Sequence, residues 1–457
     1  VTTIVCVGGG IVGVFAALRS RQHHPNARII LVEQDDAIGG LLRSDPHEDG
    51  LNYDRGTHIL SETGVGEIDA LLFADLPEDE WCAFGGARRD LCGLLQDREV
   101  HEASPFLTAA EVPAAYASTP NPSRAGYHAT LWDYLVDHHG ADVANAVFRQ
   151  PIRNLYRREL EELAPFAARQ LPLSRIVRDD MATWLARLSE TGYRNWIACP
   201  DQRELPAIYA SPLRALYPRQ MGIGQLFAVL GRKLEAAGVE IRLATSLVGL
   251  ARAPTGRIAA ADMQHRDGTQ EHIPGPLFVI WAATPLPLPR LLGAAAPKAK
   301  PVPAWTPVIL DFRAELARPL DCYYYIDYGT GDGFRLTNYA AFCAQAASLS
   351  SSPFTYEIWW RGGQPDLESL SAFAADRLER LGLSRPGTAL THARLRRTQH
   401  GVLLPTSENM AAFEALTSGL KAAAPENFMN IGLLSQPNLF FTGDMLKNAE
   451  QCLREAA

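Results

Sequence analysis

Three glycines and one acid near the start of the chain have the types and spacing of a phosphate-binding device. Gly8, Gly10 and Gly13 form a G-x-G-x-x-G run, and Glu33 follows twenty residues after Gly13. Gly8 permits a tight turn out of a strand. Gly10 carries no side chain, so a pyrophosphate can approach the backbone at a helix N-terminus, and Gly13 lets that helix lie close on the sheet. Glu33 can accept hydrogen bonds from both hydroxyls of an adenosine ribose and disfavours a 2′-phosphate there. The chemistry implied is capture of a dinucleotide.

Those residues need a strand, a turn, a helix and a second strand to position them, and the sequence supplies each. Ile4-Val5-Cys6-Val7 is an apolar strand, an Ala/Leu-rich helical segment follows the glycines, and Ile29-Ile30-Leu31-Val32 runs into Glu33. With the acid on schedule and both strands present, the glycine run predicts a dinucleotide-binding βαβ unit rather than an incidental turn.

The remainder of the 457 residues is too long for one small core and predicts two to three domains. We expect residues 1–75 to begin the nucleotide-binding domain. Residues 76–210 read as a mainly helical insertion covering the cofactor, with amphipathic runs from Thr130 to Phe148 and from Leu155 to Ala168. The charge-laced Tyr156–Glu162 reads as a solvated helix face with i,i+4 pairs. Residues 211–300 return to the nucleotide domain through a helix after Gly224, a strand at Val239–Leu243, a hairpin turning at Asp267-Gly268 and a buried strand at Phe278–Ala283. Residues 301–400 are β-rich with one helix near 366–381, and residues 401–457 close the nucleotide domain.

Composition narrows the function classes. An apolar content of 47%, a mean hydropathy of −0.09, a net charge of −8 and a pI near 5.9 describe a globular chain and argue against nucleic-acid or membrane-surface partners. No apolar stretch is long enough to span a bilayer. The first strand begins almost at residue 1, so no signal peptide is expected and the expected location is cytoplasmic. Seven cysteines without a C-x-x-C pair point to reduced thiols, not to a disulfide framework or a metal site.

Gly39-Gly40 follows Glu33, and Asp54-Arg55-Gly56-Thr57-His58 follows fourteen residues after Gly40. An acid-ended second strand, a Gly-Gly pair and a later Asp-x-Gly-x-His resemble the flavoprotein group that holds amine oxidases, protoporphyrinogen oxidase, phytoene-type desaturases and UDP-galactopyranose mutase. Three further segments share the resemblance: Met221-Gly222-Ile223-Gly224 before a long helix, Arg335-Leu336-Thr337-Asn338-Tyr339, and Asn438-Leu439-Phe440-Phe441-Thr442-Gly443-Asp444-Met445. The resemblance implies an α/β fold: a Rossmann-like FAD-binding domain of glutathione-reductase type, a mixed β-sheet substrate domain and a helical insertion. It places Gly40, Gly56 and His58 near FAD. It assigns Val248 a backbone contact to the adenine, and Gly443, Asp444 and Met445 a place beside the ribityl chain and pyrophosphate, with a strand ending at Gly443. Period-two alternation puts Arg335, Thr337 and Tyr339 on one face of a strand. Arg335 there could grip a carboxylate or phosphate with two parallel hydrogen bonds, with Tyr339 as hydrogen-bond partner.

The chain departs from the group after Gly443-Asp444, where neither a Gly-rich turn nor an Arg-rich segment follows. Three functions are therefore carried forward. The first is an FAD-dependent oxidoreductase taking hydride from a small polar substrate, anionic or sugar-like, with His58, Arg335 and Tyr339 as candidate catalytic residues. The second is an isomerase similar to UDP-galactopyranose mutase, and the third is a flavin-binding protein without catalysis.

Overall fold

The structure, a computed structural model, describes residues 2–85, 91–95, 98–101, 107, 128–171, 173–294, 303–305, 307–320, 322–329, 332–360, 364–397, 402–436, 439 and 441–456. The first unit forms as the sequence dictates: strand β1 (Thr3–Val7), helix α1 (Ile11–His23) and strand β2 (Arg28–Val32). Every residue of β1 is buried. Ile4 and Cys6 face α1, while Val5 and Val7 face the opposite side of the sheet, the mark of a parallel sheet covered on both faces.

Five parallel strands line up in the order Glu240–Arg242, β2, β1, Leu277–Trp281, Phe428–Asn430. In chain order this is 3-2-1-4-5, the doubly wound arrangement whose ligand crevice lies where the order reverses, outside the carboxyl ends of the strands. A three-stranded antiparallel meander, Thr245–Arg252, Ile258–His265 and Gln270–Pro274, connects the third strand to the fourth and covers the Val5/Val7 face. The opposite face carries α1, helix Gln225–Ala236 and the closing helix Thr442–Ala456, whose Leu446 and Leu453 join the same apolar cluster as Phe15.

A second, seven-stranded sheet runs Thr391–Arg397, Val308–Ala314, Ser352–Ile358, Gly333–Asn338, Tyr324–Asp327, Leu91–Leu95, Arg98–His101. Helix Leu367–Arg380 packs on it through Leu370, Ala374 and Leu378. Two of its strands come from the stretch expected to be mainly helical, because Leu91–Leu95 pairs in parallel with Tyr324–Asp327, a partner more than 220 residues away. The helical lobe, residues 128–171 and 173–199, packs around Leu135, Phe148, Leu155 and Trp184 in a cluster that also takes in Leu95 and Ile326 of this sheet.

The helix expected over Tyr156–Glu162 is corrected by the structure. Helix Arg149–Tyr156 stops where Arg157 takes a left-handed conformation, φ 52°. Glu159 and Glu161 turn back to Arg153 and Arg149, while of the expected i,i+4 pairs Arg158–Glu162 forms, at 4.0 Å. The expectation of reduced thiols throughout is also corrected, since Cys322 is disulfide-bonded. Cys6, Cys82, Cys199, Cys343 and Cys452 are not in disulfides. Among the described residues no helix is long and apolar enough to cross a membrane.

Candidate functional site

The parallel sheet ends in a level row: Arg242, Val32, Val7, Trp281 and Asn430 are register neighbours. The residues that follow β1 and β2 therefore meet at one edge. Gly8 turns with φ +104° and donates its N–H to the Val32 carbonyl at 2.8 Å. A Cβ on Gly13 would overlap the Gly8 carbonyl oxygen, so glycine there sets the distance between α1 and the turn. A Cβ on Gly10, at the N-cap of α1, would meet nothing within 4 Å. Backbone conformation does not demand glycine at Gly10, whose φ is −70°; the position leaves room at the helix N-terminus.

Glu33 is buried, and its two oxygens accept from the Gly9 N–H at 2.6 Å and the Asp35 N–H at 2.9 Å. A carboxylate has about four lone-pair sites, so each oxygen keeps capacity for a hydroxyl. Gly39 donates to the Gly9 carbonyl at 2.8 Å, and a Cβ on Gly40 would lie 3.3 Å from the Gly10 Cα. The Gly39-Gly40 turn thus presses backbone to backbone against the opening of α1. Val248 lies between Leu247 and Gly249, where the meander ladder shifts register. A bulge frees backbone groups that a regular strand would pair. The strand bearing it starts beside the acid, Thr245 N–H donating to the Glu33 carbonyl at 2.9 Å.

At the same sheet edge, three buried polar atoms lack partners among the described residues: Asn430 Oδ1, Ser435 Oγ and Asn448 Nδ2. Asn430 ends its strand level with Trp281, Ser435 lies in the turn that follows, and Asn448 accepts from Gln436 at 2.7 Å. A Cβ on Gly432 would overlap the backbone of Ala282 and Ala283, so this turn crosses directly over the end of the Leu277–Trp281 strand. Orphaned buried polar atoms are costly, and a polar ligand lying along this edge would satisfy them. Sequence reading missed these residues. Its only signal was the short run Phe428-Met429-Asn430-Ile431 ending in Gly432.

The strand expected to end at Gly443 is instead the first turn of the closing helix, Thr442–Ala456; the sheet position belongs to Phe428–Asn430, and Pro437, Asn438 and Phe440 lie outside the described residues. Asp444 accepts from Arg169 Nη2 at 2.9 Å, and Met445 packs on the apolar cluster beneath α1.

Asp54 anchors a second group. It is buried and accepts from Ser44 Oγ at 2.6 Å, Tyr217 Oη at 2.7 Å and the Ile223 N–H at 2.8 Å. Burial pushes its carboxyl up to about 7, against the pull of those hydrogen bonds. The neighbouring N–H groups of the 221–224 turn are also bound, Met221 to Gln345, Gly222 to Tyr217 and Gly224 to Ser44. Tyr339 belongs to this interior network. The strand ends at Asn338 and Tyr339 opens a 3-10 turn, so it does not share a strand face with Arg335. Fully buried, its hydroxyl accepts from the Asp54 N–H at 3.1 Å and pairs with Thr355 Oγ1 at 3.0 Å. Burial, followed by the nearby Asp54 charge, drives this phenol well above its ordinary value. The hydroxyl expected beside a substrate is thus engaged with Asp54 and Thr355 in the interior.

From Asp54 the chain runs outward to Gly56, Thr57 and His58. Arg335 meets them, but not as an unpaired cation. Its Nε donates to Glu357 Oε1 at 2.8 Å and its Nη2 to Oε2 at 3.0 Å. The Thr57 N–H adds a bond to Glu357 Oε1 at 3.1 Å, and Thr57 Oγ1 pairs with Thr337 Oγ1. A Cβ on Gly56 would lie 3.2 Å from Glu357 Oε1, so glycine with φ +120° is what lets the loop ride on the carboxylate. His58 is half-buried with Nε2 3.3 Å from the Arg55 carbonyl. Burial, then the Arg335 charge, lowers its imidazole to about 4, so it is neutral near pH 7. Glu357, absent from the sequence-derived set, joins Arg335, Thr57 and Gly56; its 22-residue separation from Arg335 carries no local signal. Backbone bonds join this group to the glycine cradle through the Gly40–Arg43 turn, Arg55 N–H donating to the Arg43 carbonyl at 3.1 Å.

A family model described as an NAD(P)-binding Rossmann-like domain matches residues 6–72, and no curated protein sequence matches the chain. Among solved structures, the fold is similar to that of a reduced UDP-galactopyranose mutase, with 14% identity and a TM-score of 0.67 over 98% of this chain and 94% of that one. It is also similar to a protein from Exiguobacterium sp. 255-15 assigned as a protoporphyrinogen oxidase, with 16% identity and a TM-score of 0.63 over 99% and 98% of the two chains. A third, a fatty acid isomerase from P. acnes that produces CLA, has 12% identity and a TM-score of 0.55 over 99% and 98%. The chain therefore carries a dinucleotide-binding Rossmann domain within the fold these proteins share.

Proposed function

We propose that this chain is an FAD-dependent enzyme, and that it acts as an oxidoreductase on a small polar substrate such as an amine, a sugar or a nucleotide sugar. The observation that carries the reading is the cradle at the sheet edge: space kept open at Gly10, Gly40 against it, Glu33 with acceptor capacity to spare, and Asn430 Oδ1, Ser435 Oγ and Asn448 Nδ2 without partners among the described residues. A ligand satisfying both ends would be extended and polar, with hydroxyls for Glu33 to accept from, as an adenosine ribose has. Those residues would hold FAD, with Gly8, Gly10, Gly13 and Gly40 at the pyrophosphate and Val248 at the adenine. Bound FAD would supply a hydride acceptor at N5.

The chain's own contribution lies in the Gly56–His58 loop and the Arg335–Glu357 pair. The pair is neutral overall and offers donors on one partner and acceptors on the other, which suits a hydroxyl-bearing substrate better than a bare anion. His58, held neutral, adds no charge beside the ring.

Purified protein reconstituted with FAD should be yellow and should bleach on anaerobic mixing with a productive substrate. Protein that stays colourless after reconstitution would refute the cofactor assignment. A mutase-type isomerase is the second reading, favoured by the near full-length match to the mutase fold. It would turn over nucleotide sugar only after reduction with dithionite, with no net spectral change.

A further inference from the structure

Away from the dinucleotide edge, the helical lobe gathers three ligand-bearing side chains that the reading above does not use. We propose that His128, Asp137 and His138 form a binding site for one divalent transition-metal ion of the zinc class.

Their ligand atoms all lie within 4.8 Å of one another. His128 Nε2 stands 3.1 Å from Asp137 Oδ2. Donors about 2.0–2.1 Å from a tetrahedral zinc lie roughly 3.3 Å apart, so this pair already has the separation of two ligands on one ion. Closing the remainder needs a movement on the order of 1 Å.

The third ligand is oriented in advance. His138 Nδ1 lies 2.7 Å from the Tyr134 carbonyl one turn back along helix Leu131–His139. A carbonyl accepts only, so Nδ1 carries the proton and Nε2 presents its lone pair. Metal-binding histidines are fixed in this way by their second nitrogen. The ring is also clamped, stacked on Tyr134 at 3.7 Å and edge-on to Trp196 at 4.4 Å. Its neighbour His139 is a contrast within the same helix: buried, stacked on Phe148, with Nε2 facing the Leu173 carbonyl.

Two imidazoles and one carboxylate favour zinc, cobalt, nickel or ferrous iron over calcium or magnesium, which prefer all-oxygen sets. Asp137 and His138 sit in the last turn of their helix, where the backbone dipole favours positive charge. His128 precedes the N-cap Thr130, so one ion would staple the chain entering the helix to the helix's far end. Three protein ligands leave one position for water.

The test uses the full chain, stripped with chelator and titrated with Co²⁺ followed optically and with Zn²⁺ followed calorimetrically. One equivalent should bind, with a d–d spectrum of a nitrogen–oxygen site. His138→Phe keeps the stacked ring but removes the ligand, and His128→Gln removes the other imidazole. Each should weaken binding by more than about 100-fold, since even outer-shell changes cost 10–100-fold. Metal-free melting of both variants checks that they fold. Absence of stoichiometric binding, or binding indifferent to both substitutions in folded protein, overturns the site and leaves His128–Asp137 as an ordinary hydrogen-bonded pair.

Discussion

Arg335 shows how a single residue changes meaning once its partner is known. Its spacing with Thr337 suggested a cation offered to a substrate, yet Glu357 holds it through both Nε and Nη2. Glu357 is nearly buried while Arg335 remains partly open, so the acid is the fixed member and the guanidinium the accessible edge. Replacing Glu357 with Gln keeps the shape and removes the charge. Arg335 then becomes a net cation, and selectivity should swing toward anionic substrates, with KM for a neutral hydroxylated substrate rising about tenfold or more, as expected when one charge-assisted bond is lost. Arg335→Lys should raise KM for both kinds, because a lysine cannot reproduce the fork. Steady-state kinetics on one charged and one neutral substrate separates the two outcomes, and unchanged selectivity in Glu357→Gln removes the pair from substrate binding. Glu357 was invisible in the sequence because sheet pairing, not local spacing, brings it to Arg335. Tyr339 misled for the opposite reason. Alternation is meaningful only while the strand lasts, and the strand ends one residue earlier.

The glycine turn was the most legible element, since its requirements are local: a buried strand, a turn with positive φ, a helix start and an acid after the next strand. The closing strand of the same sheet was not legible. Phe428–Asn430 is three residues long, too short for a periodic signal, while the uninterrupted apolar run Leu439-Phe440-Phe441 looked more like a strand, and a helix opens at Thr442. Within the glycine turn the structure separates two roles that sequence alone merges. Gly13→Ala forces a Cβ into the Gly8 carbonyl oxygen and should destabilise the apoprotein by about 3 kcal/mol or more, as overpacking at a site that cannot give way does. Gly10→Ala meets no protein atom and has an ordinary φ. It should cost the apoprotein no more than about 1 kcal/mol, yet weaken FAD binding at least tenfold, because the methyl occupies the room left for the ligand. Urea unfolding of the apoproteins and fluorescence titration with FAD read the two effects independently. Equal FAD affinity in Gly10→Ala and wild type would move the pyrophosphate elsewhere.

At the scale of the whole molecule, the chain closes on itself: helix Thr442–Ala456 packs against α1 within one apolar cluster. A four-membered charge network fastens that closure. Arg19 on α1 bonds Glu450 through Nε at 2.9 Å and Nη2 at 2.5 Å, and reaches Glu67 at 2.6 Å; Arg454 touches both acids. Burial raises the Glu450 carboxyl, but the hydrogen bonds from Arg19 and Arg454 outweigh it and leave the group below its usual range. A carboxylate so depressed contributes stability above its unfolded pKa and loses it as pH falls through the lower, folded value. Glu450→Gln should therefore destabilise the protein near pH 7 by about 1–3 kcal/mol, less than the 3–5 expected for a fully buried pair, because Arg19 retains Glu67. The deficit should shrink as pH is lowered below 4, where wild-type Glu450 also becomes neutral. The closing helix carries Asn448, whose Nδ2 lacks a partner among the described residues, so bound FAD should restore hydrogen-exchange protection to residues 442–456 in the variant. Protection that FAD leaves unchanged would mean the far end of the chain takes no part in holding the cofactor, and the cradle would be the work of the first βαβ unit alone.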